Sequence, residues 1–315
     1  MREIPFKTKV FVRYSRTEKA LVNAIVESYL QGVSTRKIEA VVSHLGIDEV
    51  SPPYVSKIAR QLDENVKTFM EKPIESYIPY LFVDASYFKA REGIRYISKT
   101  LLVVAGVNED GYWEIPGARV AEAEHELTWE GIFSDLKEWG LCSVDLVISD
   151  GQNGIQAAAE KMFPGSSWQM CHVHFIRAVL RKVSRKYHKL IAERLKESLS
   201  DPSLLTAYAK ELDETGFAKA ADTIYRFEYG LMNYRAFPPE HWKKIRTTNL
   251  LERVHKEVKR RTKKVGNFPS ENSLLRLAIS VLIDINEEWI LGNRYLSVKS
   301  EIISLDTAAA DFTAI

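Results

Sequence analysis

The 315-residue chain is long enough for about two domains with a sizeable core, and 45% hydrophobic with 27% charged residues is ordinary for a globular protein. Its longest apolar runs, "LLVVAGV" and "LAISVLIDI", fall short of the roughly 20 residues a membrane span needs, "MREIPFKTKV" lacks the apolar core of a secretory signal, and Cys142 and Cys171 are too few for a disulfide framework. A membrane protein and a disulfide scaffold are thereby excluded, and a reducing cytoplasm is the expected compartment. The net charge of +2 conceals a segregation: residues 73–150 carry 14 acids and 6 bases, 243–264 carry 10 bases and 2 acids, and 175–190 carry 6 bases and no acid. Such separation suits an enzyme that brings cations to its site and a polyanion to its walls; two solvated helix faces are the alternative.

Residues 17–68 read as three helices. "TEKALVNAIVESYLQ" stops at Gly32, Ser34 stands where an N-cap belongs before "TRKIEAVVSHL", and Ser51 with Pro52 opens "PPYVSKIARQLDENV". Short helices around a tight turn suggest a helix-turn-helix whose last helix presents Tyr54, Ser56, Lys57 and Arg60 to a DNA groove. A helical packing domain without DNA contacts is the alternative.

From Tyr80 the period changes. "YLFVDASYFKA", "RYISKTLLVVAGVN" and "YWEIPGARVA" are β-branched or aromatic runs parted by "REGI" and "EDG", an antiparallel meander. The helix "EHELTWEGIFSDLKEWG", the strand "DLVISD", the helix "IQAAAEKMF" and the strand "SSWQMCHV" follow, which together describe a mixed sheet flanked by helices. From Phe175 to about Tyr234 the pattern is helical with no strand, an insertion. Within it "FIRAVLRKVSRKYHKL" reads as one helix with an apolar stripe (Ile176, Val179, Leu180, Val183, Tyr187, Leu190) and a basic one (Arg177, Arg181, Arg185, Lys189) predicted to meet DNA phosphates. Thr248 or Asn249 is a plausible cap for "LLERVHKEVKRRTKK", the apolar helix "NSLLRLAISVLIDINEEWIL" follows, and the tail "SLDTAAADFTAI" reads as frayed.

Asp84 sits inside a strand that reads as buried on both faces, where an ionised carboxylate without a partner costs several kcal/mol. Asp150 ends the fourth strand, at the carboxyl edge where open sheets place ligands. Two carboxylates converging there repel each other unless a divalent cation lies between them, and Mg2+ (or Mn2+), with its preference for oxygen ligands, fits. Glu252 is the natural third ligand, because Arg253, Lys256, Lys259 and Arg260 follow on the same helix and could hold a phosphate backbone beside it. Glu257, about 140° around an ideal helix from Glu252, is better placed for a salt bridge with Arg253 or Arg261. An aspartate satisfied by a core hydrogen-bond network remains the alternative for Asp84, and an Asp-Gly turn without chemistry the alternative for Asp150.

"FVDASY", "VISDGQNGI", "WQMCHVHF", "HWKKIRTTNLLERVHKEVKRRT" and "RYLS", in that order, resemble the signature of the Mutator-type transposases of prokaryotic insertion sequences, from about Arg16 to Ser297. The resemblance implies an α/β fold: a ribonuclease-H-like mixed sheet with an all-helical insertion and an N-terminal helix-turn-helix-like region. The boundaries expected are 1–72 for the DNA-binding helices, 73–174 and 241–298 for the two parts of the core, 175–240 for the insertion and 299–315 for the tail. It also implies a DDE triad of Asp84, Asp150 and Glu252, metal-dependent cleavage and strand transfer on double-stranded DNA (the element's terminal inverted repeats and a target), and a homo-oligomer on DNA at the nucleoid. The family's Cys-x-x-His element falls on Cys171 and His174; this is half a zinc ligand set, so a hydrogen-bonding or packing role near the active edge is favoured over metal. Trp168 is expected in the core rather than stacked on a base. Family members carry a further segment before the helix-turn-helix, so weak recognition of the element's own ends is expected here. A catalytically silent DNA-binding descendant and a metal-dependent nuclease that never joins strands are the rival functions.

Overall fold

The computed structural model describes residues 9–44, 50–263 and 265–297. Four helices come first: α1 (Lys9–Leu30), α2 (Thr35–His44), α3 (Pro52–Ala59) and α4 (Leu62–Met70). Gly32 turns the chain between α1 and α2 at φ +77°, and a Cβ there would lie 2.0 Å from the carbonyl oxygen of Arg261, so only glycine fits. Ser51 caps α3 by accepting the Tyr54 N–H, with Pro52 opening the helix. The single helix predicted from Pro52 to Val66 is instead two. Val55 and Ile58 pack with Ile25, Ile38 and Val42 in a small core of their own, whereas Val66 joins the core beneath the sheet. The break at Arg60–Gln61 lets one apolar stripe reach both. Residues 45–49 and the expected tail lie outside the described residues.

The meander follows as β1 (Tyr80–Glu92), β2 (Arg95–Val107) and β3 (Trp113–Ala121), then α5 (Glu126–Glu138), β4 (Leu146–Ser149), α6 (Asn153–Met162) and β5 (Ser167–Met170). The sheet order is β3-β2-β1-β4-β5, antiparallel from β3 to β1 and parallel from β1 to β5. This is the mixed sheet that the run of strands and helices predicts. β5 stops at Met170, short of the predicted "SSWQMCHV", because Cys171 is already the N-cap of the next helix.

Alternation along β1 explains its double burial. Leu81 and Val83, with Leu102 and Val104 of β2, face Trp129, Ile132 and Phe133 of α5 and Ile155 and Ala158 of α6. Phe82, with Leu101 and Val103, faces the opposite side. That side is covered by α12 (Asn249–Thr262) through Leu251, Val254 and Val258 and by α13 (Glu271–Ile290) through Leu277 and Val281. Each such fully buried side chain contributes roughly 1.5–3 kcal/mol, so the covered sheet is the stable platform on which the loops at its edge are set.

Between β5 and α12 the described chain is helical: α7 (His172–Leu180), a 3-10 turn (Arg185–Tyr187), α8 (His188–Ser198), α9 (Pro202–Glu214), α10 (Ala218–Phe227), 3-10 turns at Glu228–Gly230 and Asn233–Ala236, and α11 (Pro239–Ile245). The predicted helix over residues 175–190 is therefore corrected. α7 ends at Leu180, Ser184 is extended (φ −71°, ψ 151°), and the turn sets Tyr187 edge-on to Phe217, with ring centroids 5.1 Å apart. A straight helix would have carried Tyr187 and the α8 residues Ile191 and Leu195 along one line; the bend folds them back onto the same core as Val179. No helix among the described residues is long and apolar enough to cross a membrane.

Candidate active site

The parallel pairing of β1 with β4 matches Phe82 to Ile148. Continuing that register by two residues sets Asp84 beside Asp150 at the carboxyl edge, on neighbouring strands about 4.8 Å apart. Gly151 lets the next element close over them: a Cβ there would lie 2.4 Å from Phe227 Cζ. Its φ is not positive, so Gly151 serves close approach rather than a left-handed turn.

Asp84 is largely buried, and its Oδ1 accepts the Ala85 N–H at 2.9 Å. Burial raises its carboxyl to about 6, with Asp150 and Glu124 adding to the rise while His174 and the Ala85 bond oppose it. Asp150 is raised as well, again by burial, against a bond from the Gln152 N–H at 3.2 Å and the charges of His174 and Arg181. A cleft of about 400 Å³ opens on Asp150, with Gln152, His174, Arg181 and Lys182 in its walls.

Glu252 comes to this edge from the first turn of α12. It is engaged: Arg177 of α7 donates to both of its oxygens, and His174 Nε2 lies 3.7 Å from Oε1. Arg177, predicted to meet DNA, is placed on this carboxylate. The contact spans 75 residues of sequence, and no local periodicity announces it. Among the described residues, no three His, Cys, Asp or Glu side chains are gathered closely enough to hold a metal ion. The donor chemistry of the aspartate pair nevertheless fits a hard divalent cation. Both are oxygen ligands, both are largely buried, and the opposing charge comes from His174 and, at Asp150, Arg181 rather than from a committed ion-pair partner.

Cys171 and His174 organise the joint between β5, α7 and α12. The Thr248 N–H and hydroxyl both donate to Cys171 Sγ, at 3.3 and 3.4 Å, and the Cys171 N–H donates to the Ser149 carbonyl at 2.8 Å. Thr248 is the N-cap residue of α12, so Cys171, through its thiol and its backbone N–H, ties the start of the Glu252 helix to the end of the Asp150 strand. Burial works against a charged His174, but the Cys171 sulfur and then Asp84 and Asp150 raise the ring to about 9. Trp168 is a core residue, 7% exposed, and its Nε1 donates to Ser149 Oγ at 2.8 Å.

Two residues that sequence reasoning missed also reach this edge. Glu124, in the loop before α5, accepts from the Tyr87 hydroxyl at 2.5 Å and from Gln152 Nε2 at 3.0 Å, bridging the strand of Asp84 and the turn after Asp150. Nothing marks it out among the many acids of its segment. His255 of α12 is buried, with Nδ1 3.0 Å from Ser86 Oγ and Nε2 3.7 Å from Asp84 Oδ2, and Nε2 has no hydrogen-bond partner. Burial and then Lys259 lower it to about 4, so it is neutral. With Ser86 donating to Nδ1, the Nε2 proton points toward Asp84. Its spacing of three from Glu252 was the available signal.

The remaining predicted cations lie on the surface. Lys57, Arg60, Arg181, Arg185, Arg253, Lys256 and Lys259 are exposed. Arg260 is exposed too but bound at both ends to Glu257, at 2.7 and 2.8 Å, while Arg261 takes the Glu257 contact predicted for it, at 2.9 Å. Arg60 lines a second cleft, about 690 Å³, between α2, α3 and the connection from α12 to α13; no residue of the carboxylate edge lines it.

A family profile described as "Transposase, Mutator family" matches residues 1–292. The chain belongs to the Mutator family of transposases. It is 36% identical over 301 residues to the transposase for insertion sequence element IS256 in transposon Tn4001 of Staphylococcus aureus, covering 93% of this chain and 77% of that one. To the transposase for insertion sequence element ISRM5 of Rhizobium meliloti it is 34% identical over 298 residues, covering 93% and 75%. Among solved structures, the Drosophila P element transposase strand transfer complex matches with a TM-score of 0.34 and 12% identity over 98% of this chain and 87% of that one, too low a likeness to identify the fold. Membership of the Mutator family marks the chain as a DNA-processing enzyme.

Proposed function

We propose that this chain is a DDE transposase that cuts a DNA strand and joins the freed 3′ hydroxyl to target DNA, with Asp84, Asp150 and Glu252 as its triad. The observation that carries this reading is the pair of raised, buried aspartates on adjacent parallel strands, with Glu252 at the start of the helix facing them. Three antiparallel strands continued by two parallel ones support a ribonuclease-H-like core, and the separate small core of α1–α3 supports an N-terminal DNA-binding region ending near residue 72. The helical stretch between β5 and α12 supports the insertion over 175–240.

Asp84 and Asp150 would hold Mg2+ or Mn2+, joined by Glu252 once it leaves Arg177. When bound, such an ion supplies a Lewis acid that activates water and neutralises charge building on the leaving oxygen. The chain's own residues do the rest. The Ala85 N–H orients the Asp84 carboxylate, with His255 Nε2 placed 3.7 Å away to join it, Cys171 and Thr248 fix the start of α12, and Arg181 and Lys182 offer charge to a phosphate in the cleft beside Asp150. Arg253, Lys256 and Lys259 continue that charge along α12, and Lys57 of α3 and Arg60 just after it add to it. Asp84→Ala, Asp150→Ala and Glu252→Ala should each abolish cleavage while leaving duplex affinity nearly intact, since distant bases carry the affinity. A gel assay of cleavage beside a binding titration checks this; cleavage surviving in any one variant removes that residue from the triad.

A further inference from the structure

β1 and β2 run on together well past the rest of the sheet. β4 pairs with β1 only through Phe82, and β3 leaves β2 at Thr100, so residues 87–99 form a two-stranded ribbon projecting beyond the carboxylate edge. Its two faces differ. On one, Phe88 and Ala90 are buried, Phe268 pairs with the free edge of β1 at Ala90, and buried Lys99 draws in Glu271 at 2.7 Å and Glu92 and Glu122 at 3.6 Å. On the other, α5 and α6 cover the sheet only as far as Ala85, and beyond it the face is open.

That open face carries Tyr87, Lys89 and Arg91 of β1, with Ser98 and Tyr96 of β2 opposite Lys89 and Arg91. All five are exposed, and among the described residues no carboxylate pairs with Lys89 or Arg91. Four of the six bases in the acidic segment 73–150 lie in this ribbon, at Lys89, Arg91, Arg95 and Lys99. Lys99 gathers the nearby acids on the far side and leaves the open side cationic. The face starts at the site: Tyr87 donates to Glu124, Glu124 accepts from Gln152, and Gln152 is two residues from Asp150. Tyr87 is three residues, about 10 Å, beyond Asp84 along β1, so its side chain leaves the opposite face of the strand, and the track meets the site around the end of β4, through Glu124 and Gln152.

We propose that the open face of the β1–β2 ribbon is a DNA-binding track that holds the phosphate backbone of the duplex leading away from the reacting bond, with Lys89 and Arg91 as its phosphate contacts. The inference rests on the transposase reading above. A ribbon reaching about 17 Å from Tyr87 to Glu92 matches about five nucleotides of one strand, and its backing by Phe268 and the Lys99 cluster makes it a rigid support. Tyrosines interleaved with cations suit sugar and phosphate groups, to which hydroxyls donate.

The test uses the full chain and a random-sequence duplex longer than the ribbon, with binding followed by fluorescence anisotropy across a KCl series. The pair Lys89→Gln with Arg91→Gln should flatten the slope of log affinity against log salt by about 2, near 0.9 for each phosphate no longer neutralised, at an unchanged melting temperature. The charge-preserving pair Lys89→Arg with Arg91→Lys should keep the wild-type slope. An unchanged slope in the glutamine pair, or a slope lost equally in the charge-preserving pair, overturns the inference and leaves the transposase reading standing. A changed oligomeric state at an unchanged slope would make this face an interface between copies, which also overturns it. Absence of salt-dependent duplex binding by the wild-type chain would instead overturn the transposase reading, and this inference with it.

Discussion

Glu257 and Asp84 lie at opposite extremes around the same helix. Glu257, on the outer side of α12, has Arg260 and Arg261 at 2.7 and 2.9 Å, and these bonds, Arg260 first, lower its carboxyl to about 2. Asp84, which α12 covers from the other side through His255, has one backbone bond and a neutral imidazole, and burial raises it to about 6. A carboxylate that only has to stabilise the fold is given resident cations. On the reading proposed above, Asp84 receives its cation from outside and is left underpaired, at a cost to stability that the buried sheet around it can absorb. Substitutions on either side of this divide should therefore have opposite signatures.

The largest expected effect is at Asp84. Asp84→Asn should abolish cleavage and yet raise the melting temperature of the metal-free chain at pH 8. The folded value of about 6, which already includes the Ala85 bond, lies above the ordinary 3.8, so ionising this group costs the native state about 3 kcal/mol above pH 6. Calorimetry in chelator reads the sign, and a lower melting temperature would place Asp84 with Glu257 as a structural acid.

His174 should show itself in the pH dependence of stability. It is faced by Cys171, Asp84, Asp150 and Glu252, with Arg177 on the far side of Glu252. Its folded value of about 9 lies above 6.5, so its contribution is fully present below pH 6.5 and is lost as the pH rises through 9. Urea unfolding of metal-free protein from pH 6 to 9.5 should show this decline, and His174→Gln should flatten it.

His255→Ala should lower cleavage by about 10–100-fold, the usual loss on removing an outer residue that orients a metal ligand, while His255→Gln, whose amide nitrogen can replace Nε2, should recover most of it. Equal losses in both would make His255 a packing residue. The smallest effect concerns Arg177. If its bond to Glu252 competes with a divalent ion, Arg177→Ala should tighten Mn2+ binding, by up to about fivefold for a partly exposed pair. Unchanged Mn2+ affinity with weaker DNA binding would return Arg177 to the phosphate-contacting role its helical stripe suggests.

How much could be read beforehand follows the same physical divide. Strand runs broken by glycine-containing turns made the mixed sheet legible, and a charge inside a doubly buried strand made Asp84 conspicuous, because both are local patterns with a strong energetic reason. Glu252 was legible through its place at the start of a basic helix. The breaks after Ala59 and Leu180 were not, since each is set by which core the following residues reach rather than by propensity. Glu124, His255 and the Arg177–Glu252 bond were illegible for a related reason. They join residues 28, 169 and 75 positions apart in sequence, through contacts that exist only once the sheet has brought its edge loops and α12 together.

Mn2+ titration of the metal-free chain, followed by the electron paramagnetic resonance signal of the free ion, tests the underpaired-carboxylate edge most directly. Wild type and Glu257→Gln should bind Mn2+ alike, whereas Asp84→Asn and Asp150→Asn should each lose that binding. Binding retained in both aspartate variants, or lost in Glu257→Gln alone, would contradict the assignment of the sheet edge as the cation site.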